Sequence, residues 1–346
     1  VSTSSGIKDL RPLALGELID RSAIFWRAHL IPLFVLCLGF ELVNYILAKG
    51  VTLFLEHTNA LMQGNKAVQA RIEADPMGVL GDVGTMMGSL SLLSIVVIWS
   101  YWLATLVITR YVVPLQLGEP SRPADGLRRG LRQLGSFTGA YLLSLLWGAG
   151  ITLLLMIPGG LLFGAGALLG KSAASSGASV LGIVLAVGGT LVVGLGWLAA
   201  FLWYFLRFSL LASVFAMEDL SAVAAFRRSG ALISGRIAPG FMGRVKVRAM
   251  VLFTALSGIV IAASFVFSLP SWILRAAYGQ LTDPSAAAEH PIPQALLVPV
   301  ELFQVFGQSV FTPLALVFYA MFYLDMRMRR EGLDLGRRLD TLRPAP

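Results

Sequence analysis

A chain of 346 residues with 56% hydrophobic and 13% charged side chains, at a mean hydropathy of +0.77, cannot clothe itself in a water-facing surface and reads as an all-α, polytopic membrane protein. Its 19 acidic and 27 basic residues are scattered through short connectors, which excludes a large extramembrane catalytic domain within these residues. The single cysteine, Cys37, lies in an apolar run and excludes an intrachain disulfide, a CxxC redox pair and a thiolate zinc site.

A bilayer core of about 30 Å takes roughly 20 apolar residues per helix. Six runs qualify, near 30–55, 88–115, 137–169, 179–215, 248–272 and 294–325. Residues 1–29 precede the first run. There Leu15, Leu18, Ile19, Phe25 and Trp26 share one helical face, with Glu17 and Arg21 spaced i,i+4 on the other. The length of this lead and the lack of a small-residue cleavage site predict that the first run is retained as a span. Two further amphipathic elbows are predicted, near 123–136 and 218–236. The first sets Leu127, Leu131 and Leu134 against Arg128, Arg129 and Arg132. The second sets Val223, Phe226 and Ile233 against Arg227 and Arg228, with Ser221 as N-cap. The third and fourth runs exceed a perpendicular helix, so a tilt, a kink at Pro158 or a re-entrant piece is expected. Residues 326–346 form a basic tail.

Twenty-two of the 27 Lys and Arg fall on one side of this six-span arrangement, while Lys49, Lys66, Arg71, Lys171 and Arg275 fall on the other. By the positive-inside bias both termini are cytoplasmic. The net charge of +8 then points to an anionic inner leaflet as partner rather than to nucleic acid. Offsets of 207 and 99 residues superpose Arg21-Ser22 on Arg228-Ser229 and Arg128-Arg129 on Arg227-Arg228, which suggests three repeats of elbow plus hairpin.

Several motifs fail on spacing. The run from Gly164 to Ser172 would need glycine at Ala165 for a phosphate loop and at Leu169 for a dinucleotide fingerprint. Its Gly160-x-x-x-Gly164 and Gly166-x-x-x-Gly170 steps read instead as close helix packing. Glu56-His57 and Glu289-His290 stand in different loops and are read as separately solvated. No triad can be assembled around three histidines, so no catalytic residue, cofactor site or metal site is assigned.

Two groups of polar residues remain. Glu41 lies about 11 residues, or roughly 16 Å, into the first span, near the bilayer midplane. Asn44 and Tyr45 share its face. Glu301, Gln304 and Gln308 form one face of the sixth span, which runs the opposite way, so the two stripes can overlap near Glu41 and Gln308. A polar cavity and interhelical hydrogen-bonding glue are both open readings. The second group is a proposed ion-pair platform at the basic face, in which acids alternate with bases: Glu17 with Arg21, Glu218 and Asp219 before Arg227 and Arg228 with Glu218 and Arg227 as the pair singled out, Asp325 before Arg327, then Arg329, Glu331 and Asp334. Arg207 is expected to snorkel or to pair with Glu218 or Asp325.

The segments Leu10-Arg11-Pro12-Leu13 with Leu15 to Arg21, Arg207-Phe208-Ser209-Leu210 through Glu218 to Ala225-Phe226-Arg227-Arg228-Ser229, and Leu324 to Asp334 resemble the bacterial glycerophosphoryl diester phosphodiesterase membrane-domain family. The resemblance implies a six-helix inner-membrane domain whose own activity is largely undefined. The family's name comes from members fused to a phosphodiesterase barrel, whose signature begins with His-Arg. Here His29, His57 and His290 are followed by Leu30, Thr58 and Pro291, so that signature is not met. The expected role is a non-enzymatic scaffold or assembly partner, with a cytoplasmic or membrane protein as its partner. The alternative is a transporter-like unit for a lipid or small amphiphile, with its cavity around Glu41 and Glu301.

Overall fold

The computed structural model describes residues 12–58, 69, 72–172, 176–237, 239–241, 243–281 and 291–333. Leu10, Arg11, Lys66, Arg71, Asp283, Glu289, His290 and Asp334 lie outside the described residues. The described chain is helical. It forms α1 (Leu15–Ala28), α2 (Leu30–Thr58), α3 (Pro76–Gln116), α4 (Pro123–Ser172), α5 (Ser176–Phe208), α6 (Leu211–Met217), α7 (Ala222–Ile233), α8 (Val245–Ala277) and α9 (Gln294–Glu331). Apart from one isolated bridge between Arg236 and Arg244, no strand pairing occurs among the described residues. Among the described residues six helical segments are long and apolar enough to cross a bilayer, and they coincide with the six runs expected from hydropathy.

The chain divides into two compact units, residues 1–131 with 251–346, and residues 132–250, the divisions falling inside α4 and α8. In the first unit α9 is the buried axis. From Val305 to Met328 most of its residues are enclosed, and α1, α2 and α3 pack on it. Apolar side chains do this within the membrane, where packing rather than water exclusion holds helices together. Phe253 of α8 meets Tyr319 at 4.9 Å and Phe322 at 5.5 Å, and Phe267 meets Phe303 at 5.5 Å. A Cβ on Gly307 would collide with the Phe267 ring, so that position admits the ring only as glycine. Gly332 ends α9 in the left-handed region at φ 61°, its N–H donating to the Met328 carbonyl.

The N-terminal elbow forms as α1, docked through Leu18, Ser22 and Phe25. The elbow before span five forms as α7, with Ser221 capping the Ala224 N–H. The segment near 123–136 differs from expectation. It is no separate elbow but the start of α4, 50 residues long or about 75 Å. Pro123 opens the helix where its missing N–H costs nothing, and nothing before Ser172 stops it. A Cβ on Gly126 would overlap the Val107 carbonyl oxygen of α3, so this glycine serves close packing. The helix continues through Pro158, and no re-entrant piece interrupts it among the described residues. The fourth run does break: α5 ends at Phe208, and Ser209-Leu210 turn into the short α6.

In the second unit α4 and α5 touch backbone to backbone at one of the two expected steps: a Cβ on Gly182 would lie 2.9 Å from the Gly166 carbonyl oxygen and 2.8 Å from the Gly170 N, whereas the other step is not a contact. Gly160 and Gly164 face open space. A Cβ on Gly159 would lie 2.8 Å from the Gly189 carbonyl oxygen, and one on Gly196 2.6 Å from that of Leu155. The working glycines recur every seven residues (159 and 166; 182, 189 and 196), the period that keeps one helix face turned to its neighbour.

Candidate functional site

The two polar stripes meet in the first unit. Because α2 and α9 run antiparallel, Glu41 faces Thr312, whose hydroxyl donates to its Oε1 at 3.1 Å. Two turns farther along α2, Lys49 Nζ donates to Glu301 Oε2 at 2.8 Å, and the Tyr45 hydroxyl donates to the same oxygen at 3.0 Å. Glu301 is thereby neutralised, and the pair bolts α2 to α9.

Glu41, Tyr45, Lys49 and Glu301 border a cavity of about 830 Å³ that reaches from Glu41 past Lys49. All six expected stripe residues, Glu41, Asn44, Tyr45, Glu301, Gln304 and Gln308, line it. Thr52 and Glu56 of α2, Arg275 near the end of α8, and Gln280 and Pro291 in the connector continue the lining away from Glu41. The volume lies within the range of small-molecule sites, roughly 300–1,000 Å³. Gln304 and Gln308 make no side-chain hydrogen bond among the described residues, and Asn44 Oδ1 is buried without a partner. An unmet buried oxygen costs about 1–3 kcal/mol, so Asn44 calls for a donor. Of the two readings left open by sequence, glue accounts for Thr312 with Glu41 and for the Lys49, Tyr45 and Glu301 cluster. The unpaired amides belong to the cavity.

Sequence reasoning missed Lys49, Thr312 and Arg275. Lys49 was detectable, since it follows Glu41 and Tyr45 at i+8 and i+4 on the same face. Thr312 is one turn beyond Gln308 on the stripe already named. Arg275 comes from a helix whose approach no local pattern announces.

The charges at the basic end fall into two sets, one in each unit. In the first, Arg21 meets Glu17 at 3.3 Å as expected. Asp325 pairs with Arg329 at 3.0 Å rather than with Arg327, and Arg327 pairs with Glu331 at 2.9 Å. The reason is that α9 continues through the presumed tail to Glu331, so i,i+4 spacing selects the partners. Asp325 is fully buried. It also accepts the Leu13 backbone N–H at 2.9 Å, while Arg329 Nη2 donates to the Leu13 carbonyl at 2.6 Å. The N-terminal strap is thus bonded to the last helix through both backbone groups of one residue.

In the second unit Glu218 accepts from Arg228, at 3.0 Å from Nε, and not from Arg227, which points outward from α7. Residue 228 rather than 227 returns toward the C-terminal end of α6, because helical rotation turns successive side chains by about 100°. Asp219 accepts instead from Gln133 at 3.2 Å. Arg207 pairs with neither expected carboxylate. Its guanidinium carbon lies 4.9 Å from the Trp147 ring centre, 5.9 Å from Phe208 and 5.8 Å from Phe226.

Among the described residues no group of three or more His, Cys, Asp or Glu side chains gathers with metal-binding geometry. The chain matches no protein-family model, no curated protein and no solved structure. The chemistry of its own residues is therefore the basis for a functional reading.

Proposed function

We propose that this protein is a multi-pass carrier of the bacterial inner membrane, with both termini cytoplasmic, that admits a small amphiphile head first into the cavity reaching Glu41. The observation that carries the reading is the cavity of about 830 Å³ lined near Glu41 by amides without partners. A polar lining at this depth is costly unless a bound group or water satisfies it. A head group rich in N–H donors, such as an ammonium, suits the Glu41 carboxylate and the Asn44, Gln304 and Gln308 oxygens. The lining cations lie farther along: Lys49 is occupied by Glu301, and Arg275 stands near the end of α8. The scaffold role expected from sequence drew on the basic face, but Arg21, Arg228, Arg327 and Arg329 are taken up in pairs within the chain. The cavity therefore supports a function better than the platform does.

Dodecylammonium, below its micelle concentration, is expected to raise the melting temperature of the purified chain more than dodecyl sulfate does. Glu41→Gln should keep the melting point of the free chain, since an amide oxygen still accepts from Thr312, yet weaken dodecylammonium about tenfold, or 1.4 kcal/mol. Unchanged amine binding in this variant would sink the carrier reading. A collapse of the free variant would restore the glue reading instead.

The orientation has its own check. Cys37 is buried and should stay silent, so single cysteines can be added to the natural chain. An impermeant maleimide applied to intact cells should label cysteine placed at Lys66 or Asp283 but not at Arg128 or Arg236. Labelling with the opposite sign would invert the topology.

A further inference from the structure

The aromatic box around Arg207 is a second site, in a different unit from the cavity and independent of it. Arg207 stands in the last turn of α5. Trp147 of α4 covers its guanidinium at 4.9 Å, and the rings of Phe208 and Phe226 flank it. On another side lies α7, where a Cβ on Gly230 would come into van der Waals contact with the guanidinium carbon at 3.4 Å. Trp147 in turn packs edge-on against Trp203 at 5.3 Å, and Lys246 Nζ lies 5.9 Å above Trp203.

This cation is flanked by rings, not by an acid. Its Nε is buried without a partner, and no described residue accepts a hydrogen bond from the side chain. Lys246 is exposed and has no carboxylate partner among the described residues either. Cation–π contacts hold a guanidinium by its faces and leave its in-plane N–H groups able to bond, the geometry that matches two oxygens of a phosphate. Tryptophans beside unpaired cations at the end of a membrane helix also mark the level of lipid head groups.

We infer that Arg207, held in this box and assisted by Lys246 beside Trp203, is a phosphate site. Its ligand is the phosphodiester of an anionic lipid head group or a free phosphate ion, and the two sources share the same oxygen chemistry. Bulk attraction to a charged leaflet would make any exposed arginine equivalent, and Arg227 supplies that comparison. It lies on the neighbouring helix α7, exposed and without an ion pair.

The test measures melting temperature of the full chain in dodecyl maltoside with phosphatidylglycerol, with phosphatidylcholine, or with inorganic phosphate. Each shift is taken relative to the same variant without additive. The natural chain should gain several degrees from phosphatidylglycerol and less from phosphatidylcholine. Arg207→Gln should lose more than half of that shift, Arg207→Lys should retain part of it, and Arg227→Gln should retain it all. Because Arg207→Gln also removes packing, Gly230→Ala is the second variant. It keeps the charge and sets a methyl in contact with the guanidinium carbon and Nη2, in the space a phosphate oxygen would use, and should reduce the lipid shift while the free chain still melts cooperatively. An Arg207-dependent shift with lipid alone assigns the head group, and one with millimolar phosphate in lipid-free detergent assigns the free ion. Either outcome supports the site. An Arg207→Gln variant that keeps the full shift in every arm, or an Arg227→Gln variant that loses as much, overturns it.

Discussion

Replacing Asp325 by alanine is expected to cost about 3–5 kcal/mol, among the largest losses available to any single side chain in this protein. The carboxylate is fully buried and accepts from the Leu13 N–H at 2.9 Å and from the Arg329 guanidinium at 3.0 Å. Removing it leaves a mostly enclosed guanidinium without its counter-charge and a buried backbone N–H without an acceptor, which adds two penalties to the lost bonds. Asp325→Asn should cost less, because an amide oxygen can still accept from Leu13. Arg327→Ala should cost less than about 1 kcal/mol, since its pair with Glu331 is partly solvated and lies on the helix surface. Thermal melting of the three variants in one detergent, with trypsin cleavage ahead of α1 as a second readout, checks the order. Equal melting of Asp325→Ala and Arg327→Ala would show that the strap is not held by this carboxylate.

The strap also marks the limit of what sequence could tell. Asp325 and Arg329 were visible as an i,i+4 pair only if α9 was known to continue past Leu324, and hydropathy alone ends the span where charge begins. The third member is the backbone of Leu13, more than 300 positions away in the chain. No side-chain pattern encodes a backbone acceptor or donor, so this bond had no signal. Two of the segments compared with a known membrane-domain family, Pro12-Leu13 and Leu324 onward, meet at this strap, which gives their residue types a physical reason.

Elsewhere legibility followed periodicity. Six apolar runs were readable because each must fill a bilayer, and the cavity stripes were readable because Glu41, Asn44 and Tyr45, and Glu301, Gln304 and Gln308, repeat at helical spacing. The pairing of Glu218 was off by one residue, Arg228 instead of Arg227. Adjacent arginines in a run are chemically alike, and only the helix phase separates them. For Arg207 only the carboxylate half of the expectation failed, for another reason. A carboxylate was sought for a cation, whereas Trp147, 60 positions earlier, supplied a ring, and rings in an apolar span look like ordinary core. The elbow near 123–136 looked separate because its amphipathic pattern stops near Leu134. Continuity of a helix depends on the absence of a breaker, and amphipathic pattern does not report it.

The glycine stripe of the second unit carries the other large effect. A Cβ at Gly189 would stand 2.7 Å from the Gly159 carbonyl oxygen and 2.8 Å from the Phe163 Cα, both backbone atoms that no rotamer change can move aside. Gly189→Ala should therefore force α4 and α5 apart and cost about 1–3 kcal/mol, with Gly189→Leu worse. The same substitution at Gly160 or Gly164 meets nothing within 4 Å and removes a flexible residue from a helix interior, so it should be neutral or stabilise by up to about 1 kcal/mol. The contrast separates helix propensity from helix contact, because all three changes add one methyl group to a long apolar helix. It also separates the two spacings, since a four-residue small-residue step would make Gly160 and Gly164 the sensitive pair. Melting curves in detergent, read together with the fraction that elutes as a single species, should rank Gly189→Ala lowest and Gly160→Ala and Gly164→Ala at or above the natural chain. If Gly160→Ala falls as far as Gly189→Ala, the seven-residue stripe is not the contact that holds these two helices.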